Sequence, residues 1–247
     1  MRIAAVADLH CPRTRDTELH GLLAEMAEAA DVLLLCGDLT DYGRPDEARI
    51  LAKEIGAARG LPVLAVLGNH DYECGHPDEV ERILSDVGVT VLNGTPAEVR
   101  GIGFVGVKGF AGGYDDRALQ PWGEEVMKRF VHEAVDEALK LESALAKVQT
   151  RQRVVLLHYA PVAATVQGEP PEIIPFLGSS RLEEPLNRYP VTAVFHGHAH
   201  HGSPAGKTKT GVPVFNVALP LMRQHFPDMP FRVFEVHTEH EHSTSTI

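Results

Sequence analysis

Cysteine is scarce in this chain. Three of 247 residues are cysteine, Cys11, Cys36 and Cys74, and they are scattered. That excludes a disulfide framework and suits a reducing compartment. Basic residues are in deficit, 23 against 34 acidic, for a formal charge of −11. A protein that grips nucleic-acid backbones needs a basic face, so the balance argues against that partner. No apolar run approaches the roughly 18 residues of a membrane span. The opening "MRIAAVADLH" meets Asp8 too early to be the apolar segment of a secretory signal. The expectation is a cytoplasmic protein without a membrane anchor. Hydrophobic residues make up 44% of the chain, enough for a sizeable core, read here as a single domain over 1–247.

What is present is an alternation. "RIAAVADLH" (2–10), "DVLLLCGD" (31–38) and "LPVLAVLGNHD" (61–71) read as buried strands. Helical patterns follow them over 18–30, 45–60 and near 77–87, the second with Pro45 at its start and Gly60 at its end. Such alternation predicts βαβ units and a mostly parallel sheet. Beyond residue 88 the runs shorten to "VTVL" and "GIGFVGVKGF", then a helical pattern spans 123–149 and reads as a helix lying on a sheet. "RVVLLHYAP" (153–161) and "VTAVFHGHAHHG" (191–202) repeat the buried-strand pattern, and "VPVFNVAL" and "FRVFEVH" read as closing strands. The Pro- and Gly-rich stretch after His158 predicts an irregular loop entering a short helix. The tail "HTEHEHSTSTI" reads as a frayed end.

In open α/β sheets ligands bind outside the carboxyl ends of strands. Five apolar runs here end in donors: Asp8 with His10, Asp38, Asn69 with His70, His158, and His198 with His200. If the last run stays extended, His198 and His200 share a face. Carboxylate and imidazole donors without a thiolate suit Mn²⁺, Fe²⁺, Zn²⁺ or Ni²⁺. There are more donors than one ion accepts, and two ions sharing Asp38 would use them all. Paired ions roughly 3.5–4 Å apart are a common device for hydrolysing phosphate esters.

Taken in order, "DLH", "GDLTD", "GNHD", the histidine of "LLHYAP" and "GHAH" resemble the signature of the calcineurin-like metallophosphoesterases, from residue 2 to about 218. The resemblance implies an α/β four-layer αββα sandwich with two mixed β-sheets and a dinuclear site at the strand carboxyl ends. It implies one divalent transition-metal ion held by Asp8, His10, Asp38 and His200, and a second held by Asp38, Asn69, His158 and His198. A hydroxide bridging the ions would attack phosphorus. His70 would protonate the leaving alkoxide, with Asp71 orienting its imidazole. Gly37 and Gly68 are expected where the backbone turns sharply or approaches the metals. Asp41 reads equally as a turn residue and as a carboxylate behind a ligand. His196 is expected to be packed, His201 solvated and Cys36 in the core. His20, His76, His132 and His225 have no motif around them.

Departures from the family narrow the substrate. Tyr42 stands where its protein phosphatases carry an arginine in "GD-x-x-D-R-G", and "GNHD" replaces their "GNHE". Asp41 stands where purple acid phosphatases need a tyrosine ligand. What remains resembles the compact bacterial phosphodiesterases, some of which act on cyclic nucleotides. The expected activity is therefore hydrolysis of small phosphodiesters. The alternative is a phosphomonoesterase on nucleotides or sugar phosphates, for which Arg13, Arg15, Arg44 and Arg181 are the available cations. A nuclease is disfavoured by charge, and a non-catalytic metal-binding scaffold by the complete ligand set. The loop 162–180 is the expected specificity determinant, separable from the metal site. A homodimer through the long helix or the closing strands is left open.

Overall fold

The computed structural model describes residues 1–14, 17–56 and 60–236. Arg15 and the histidine-bearing tail from residue 237 lie outside the described residues. The elements in chain order are β1 (Arg2–Val6), α1 (Thr17–Ala29), β2 (Val32–Cys36), α2 (Pro45–Ile55), β3 (Val63–Val66), α3 (Pro77–Asp86) and β4 (Val89–Val91). They continue with β5 (Ala97–Val99), β6 (Ile102–Val107), α4 (Glu125–Lys147), β7 (Gln152–Leu157), α5 (Glu183–Arg188) and β8 (Ala193–His196). β9 (Ala205–Lys207), β10 (Pro213–Asn216), α6 (Leu219–His225) and β11 (Arg232–Glu235) complete the fold.

Two mixed sheets result. One has the order β11-β1-β2-β3-β4 and the other β5-β6-β7-β8-β10-β9. β1 to β4 run parallel, and β11 closes that sheet antiparallel to β1. β6, β7, β8 and β10 are parallel, with β5 and β9 as antiparallel edges. Successive strand residues point to opposite faces, which explains why these runs are apolar throughout. In β2, Leu33 and Leu35 face the core beneath α1, α2 and α3. Val32, Leu34 and Cys36 face the core between the sheets, where they join Ile102, Phe104, Val154, Leu156 and Phe195. Val105, Val107, Val155 and Leu157 turn to a third core under α4 and α5. Helix, sheet, sheet and helix are thus the four expected layers.

Helix α4 spends its apolar face, Val131, Ala134, Leu141, Ala144 and Leu145, on the second sheet. Three short elements escape the sequence reading: β5, β9 and α6. β5 and β9 are three-residue edge strands, too short for a period to register. α6 begins within "VPVFNVAL", read above as continuous strand. Pro220 removes a backbone donor where helix entry tolerates the loss. Among the described residues, no helix is long and apolar enough to cross a membrane.

Candidate metal centre

The strands stop short of the donors. β1 ends at Val6 and β2 at Cys36, yet the loops beyond them keep pairing: the N–H of Asp8 donates to Gly37 O (2.9 Å), that of His10 to Asp38 O (3.0 Å) and that of Cys11 to Leu39 O (3.0 Å). This continued ladder sets Asp8, His10 and Asp38 side by side. Four donor residues sit at positive φ: Asp8 (57°), His10 (44°), Asp38 (47°) and His198 (70°). Such conformations cost a side-chain-bearing residue roughly 1–3 kcal/mol each, so the surrounding packing must hold them. Gly37 and Gly68 are part of that packing. A Cβ on Gly37 would lie 2.4 Å from His158 Nδ1, and one on Gly68 would lie 2.2 Å from the Asp38 backbone N and Oδ1.

Three overlapping clusters form, in each of which one ligand atom per residue lies within 4.8 Å of the others: Asp8, His10 and His200; His10, Asp38 and His70; Asp38, His158 and His198. Asn69 joins the last, its Oδ1 being 2.9 Å from His158 Nε2. All seven predicted ligands are therefore brought together, and Asp38 is shared between clusters. His198 and His200 arrive differently from the parity expectation. β8 ends at His196, the chain turns left-handed at His198, and the two imidazoles enter different clusters. Period-two alternation does not survive a left-handed turn.

The donor chemistry fits divalent cations. Asp8 and Asp38 are almost fully buried. Asp8 accepts from the His198 N–H (3.0 and 3.1 Å) and lies 3.1 Å from His200 Nε2, with no lysine or arginine among its ion pairs within the described residues. Buried carboxylates require a counter-charge, and here imidazoles supply it. Burial raises the Asp38 pKa, but His158 beside it outweighs burial and holds it below the ordinary carboxylate range. The same pair acts on His158, where burial is outweighed by Asp38 and the imidazole is held above its usual value. His200 is raised by its bond to Asp8. Burial lowers His10, and lowers His198 to about 4. The centre thus gathers imidazoles around two buried carboxylates, a donor set that divalent cations can take by displacing protons.

His70 is half-exposed at the edge of the cluster, its ring centroid 4.5 Å from that of His10. Its Nδ1 lies 2.7 Å from the Asp41 backbone O. A carbonyl only accepts, so Nδ1 carries hydrogen and Nε2 is the nitrogen free to exchange a proton. This corrects the role expected of Asp71. That carboxylate is fully buried and accepts from Gly68 N (2.8 Å), Leu39 N (3.2 Å), Thr40 N (2.9 Å) and Thr40 Oγ1 (2.6 Å), not from the His70 ring. Burial and then Asp38 push its pKa up. Asp71 ties the loop after β2 to the loop after β3, and Asp41 orients His70. Asp41 also places Oδ1 3.8 Å from His10 Nδ1.

His196 is buried, with Nε2 2.8 Å from Thr165 Oγ1 and Nδ1 2.8 Å from Gly197 O. His201 is exposed and Cys36 buried, as expected. The loop 162–180 touches the centre at three places. Thr165 holds His196, the Phe176 backbone O lies 3.2 Å from His198 Nε2, and Glu169 accepts the His201 N–H (2.7 Å). Lys108 went unnoticed in the sequence. It follows β6 directly, and its Nζ lies 5.5, 4.8 and 5.3 Å from the ring centroids of Tyr72, Phe110 and Tyr159. The strand-end rule applied to "GFVGVKGF" would have found it.

A model of the calcineurin-like phosphoesterases matches residues 1–202. The chain belongs to that family. It is accordingly a metal-dependent phosphoester hydrolase of the dinuclear type. No curated relative matches the sequence significantly. Among solved structures, the chain is similar to phosphopantetheinyl hydrolase from Mycobacterium tuberculosis (16% identity, TM-score 0.67, 94% of this chain and 95% of that one). It is also similar to a Thermus thermophilus protein (17% identity, TM-score 0.56, 90% of each chain). Purple acid phosphatase from yellow lupin shares the fold at 14% identity and TM-score 0.55, over 90% of this chain and 44% of that one. At these identities the likeness is one of fold.

Proposed function

We propose that the protein is a cytoplasmic phosphodiesterase acting on small molecules, with ions held by Asp8, His10, Asp38 and His200 and by Asp38, Asn69, His158 and His198. The observation that carries the reading is a chain of overlapping clusters, in which His10 links Asp8 and His200 to Asp38 and Asp38 links His10 to His158 and His198. Bound there, two divalent ions would acidify water and neutralise charge on the phosphoryl oxygens. The chain's own part is to hold that geometry and to move a proton. His70 donates from Nε2 to the leaving oxygen while Asp41 O fixes Nδ1–H.

The diester preference is supported by where the arginines are. Arg181 donates to Leu119 O (2.8 Å), and Arg13 contacts Asp46 and Glu47. None of the described candidates is paired with a cluster carboxylate, so the site offers a dianionic monoester no dedicated guanidinium. The test is to strip the protein, reload it separately with Mn²⁺, Zn²⁺, Fe²⁺ and Ni²⁺, and assay bis-p-nitrophenyl phosphate beside p-nitrophenyl phosphate. Faster turnover of the diester, lost in His70→Ala, is expected. Preference for the monoester would replace the reading with a phosphomonoesterase. The cytoplasmic assignment rests on three free thiols, two of them buried. Recovery of the native chain in a secreted fraction would refute it.

A further inference from the structure

A cavity of about 290 Å³ opens beside the centre, lined by Arg13, Thr14, Asp41, Tyr42, Arg44 and Glu47. Asp41 belongs to both places, since its backbone O holds His70 and its carboxylate approaches His10. The 41–44 turn packs on the same backbone: a Cβ on Gly43 would lie 2.6 Å from Asp71 O and 2.7 Å from His70 O. The cavity therefore adjoins the backbone on which His70 rests. Pockets that take a whole small ligand measure roughly 300–1,000 Å³, so this one accommodates part of a substrate.

Its walls carry two guanidinium groups. The Arg13 Nε lies 3.9 Å from both Asp46 Oδ2 and Glu47 Oε1, the outer limit of ion pairing. The buried Glu47 spends Oε2 on the N–H groups of Tyr42 (2.9 Å) and Arg44 (3.2 Å). The Arg44 Nε is buried without an acceptor among the described residues. A guanidinium presents five N–H donors in a planar fork matched to carboxylate and phosphate oxygens. The half-exposed Tyr42 adds an aromatic face to the same wall.

We infer that this cavity is a subsite for a second oxyanion, a phosphate or carboxylate carried by the alcohol that departs past His70. The inference rests on the phosphodiesterase reading for its placement of the leaving group. Arg13 and Arg44 then read the leaving alcohol and leave the reacting phosphate to the metal centre, and the enzyme selects diesters whose released alcohol is itself anionic.

The test compares the native protein with Arg13→Gln and with Arg13→Gln/Arg44→Gln on bis-p-nitrophenyl phosphate and on phenyl 4-carboxyphenyl phosphate. The ratio of variant to native is taken within each substrate, so leaving-group reactivity cancels. KM for the carboxylated ester is expected to rise roughly ten-fold more than KM for the nitrophenyl ester in the double variant, and by part of that in the single one. Calorimetry on the metal-free protein supplies a readout independent of turnover: inorganic phosphate is expected to bind the native chain and to lose that binding in the double variant. Equal KM changes on both esters, or phosphate binding indifferent to the arginines, would overturn the subsite. Arginine-dependent phosphate binding by a native chain that cleaves neither ester would overturn the phosphodiesterase reading and leave the subsite standing. Should the double variant fail to fold, Arg13→Gln decides alone, because the Arg13 side chain is half-exposed and its contacts with Asp46 and Glu47 lie at the limit of ion pairing.

Discussion

The two sheets contribute unlike halves to one centre. The first supplies both carboxylates, Asp8 and Asp38, from tight loops whose backbones continue the strand ladder for several residues beyond β1 and β2. The second supplies His158, His198 and His200, and it holds the His198 segment through side chains and carbonyls of the 162–180 loop. One half is fixed by its own backbone, the other by a long connection. Anionic charge is therefore pre-set, whereas the position of His198 depends on a segment some twenty residues earlier. It follows that damage to the first half removes charge, and damage to the second removes alignment.

The largest effect is expected at the proton donor on the first half. His70→Gln should lower turnover by roughly 10²–10⁴-fold, the usual worth of a general acid, while elemental analysis finds the metal content of the native protein. Loss of the metals along with activity would make His70 a ligand, in keeping with its place in a cluster with His10 and Asp38.

A pH titration of stability probes the second half. His196 is buried and its pKa is lowered to about 4, mainly by burial. The unfolded imidazole titrates near its model value of 6.5. Between those values the unfolded chain takes up a proton that the folded chain refuses. The contribution is intact above pH 6.5 and falls away as the pH drops towards 4, to a total of about 3 kcal/mol. His196 Nε2 lies 2.8 Å from Thr165 Oγ1, whose one proton is shared between that nitrogen and Val162 O. Chemical denaturation across that range should show a steeper slope in the native protein than in His196→Gln, where the lowered His198 still contributes. Parallel slopes would mean that another group carries it.

Asp71 offers a sharper contrast with His70. Asp71→Asn replaces one acceptor oxygen by an amide that faces backbone N–H groups, at a cost of about 2–3 kcal/mol. The midpoint of denaturation should fall, and the pH profile of the remaining activity should stay where it was. A shifted profile would restore Asp71 to the orienting role that sequence assigned it.

How far the centre could be read from sequence follows the same division. The candidate ligands were legible because strand ends in α/β folds collect function, and five donor-bearing strand ends in order are hard to produce otherwise. The partners of those ligands were not. Nothing in "GNHD" says that Asp71 folds back onto Thr40, because that contact depends on two loops meeting from different strands. Asp41 was ambiguous for the same reason: its decisive group is a backbone carbonyl, which sequence does not encode by residue type. The parity argument for His198 and His200 assumed a strand that in fact ends at His196. Lys108 was legible by the same strand-end rule, since it follows β6 directly.

The smallest effect is expected at the rim of the second half. Phe176 is 54% exposed, with its ring towards Phe130 at 6.4 Å and its carbonyl at His198. Phe176→Ala removes the ring and keeps the carbonyl, so a few-fold change in KM with unchanged metal content is expected, since little buried surface is lost. Thr165→Val, which breaks the tie to His196, should by contrast cost about 1–2 kcal/mol of stability.

The shared carboxylate is the claim on which the rest depends, and metal stoichiometry measures it directly. Native protein and Asp38→Asn would be stripped, loaded with Mn²⁺, freed of excess ion and assayed for manganese per chain, with circular dichroism to confirm that both are folded. Two ions in the native chain and neither in the variant is the expected result. A variant that keeps one ion firmly bound, with its occupancy lost on further removal of Asp8, would show that the clusters are independent and that Asp38 does not bridge them.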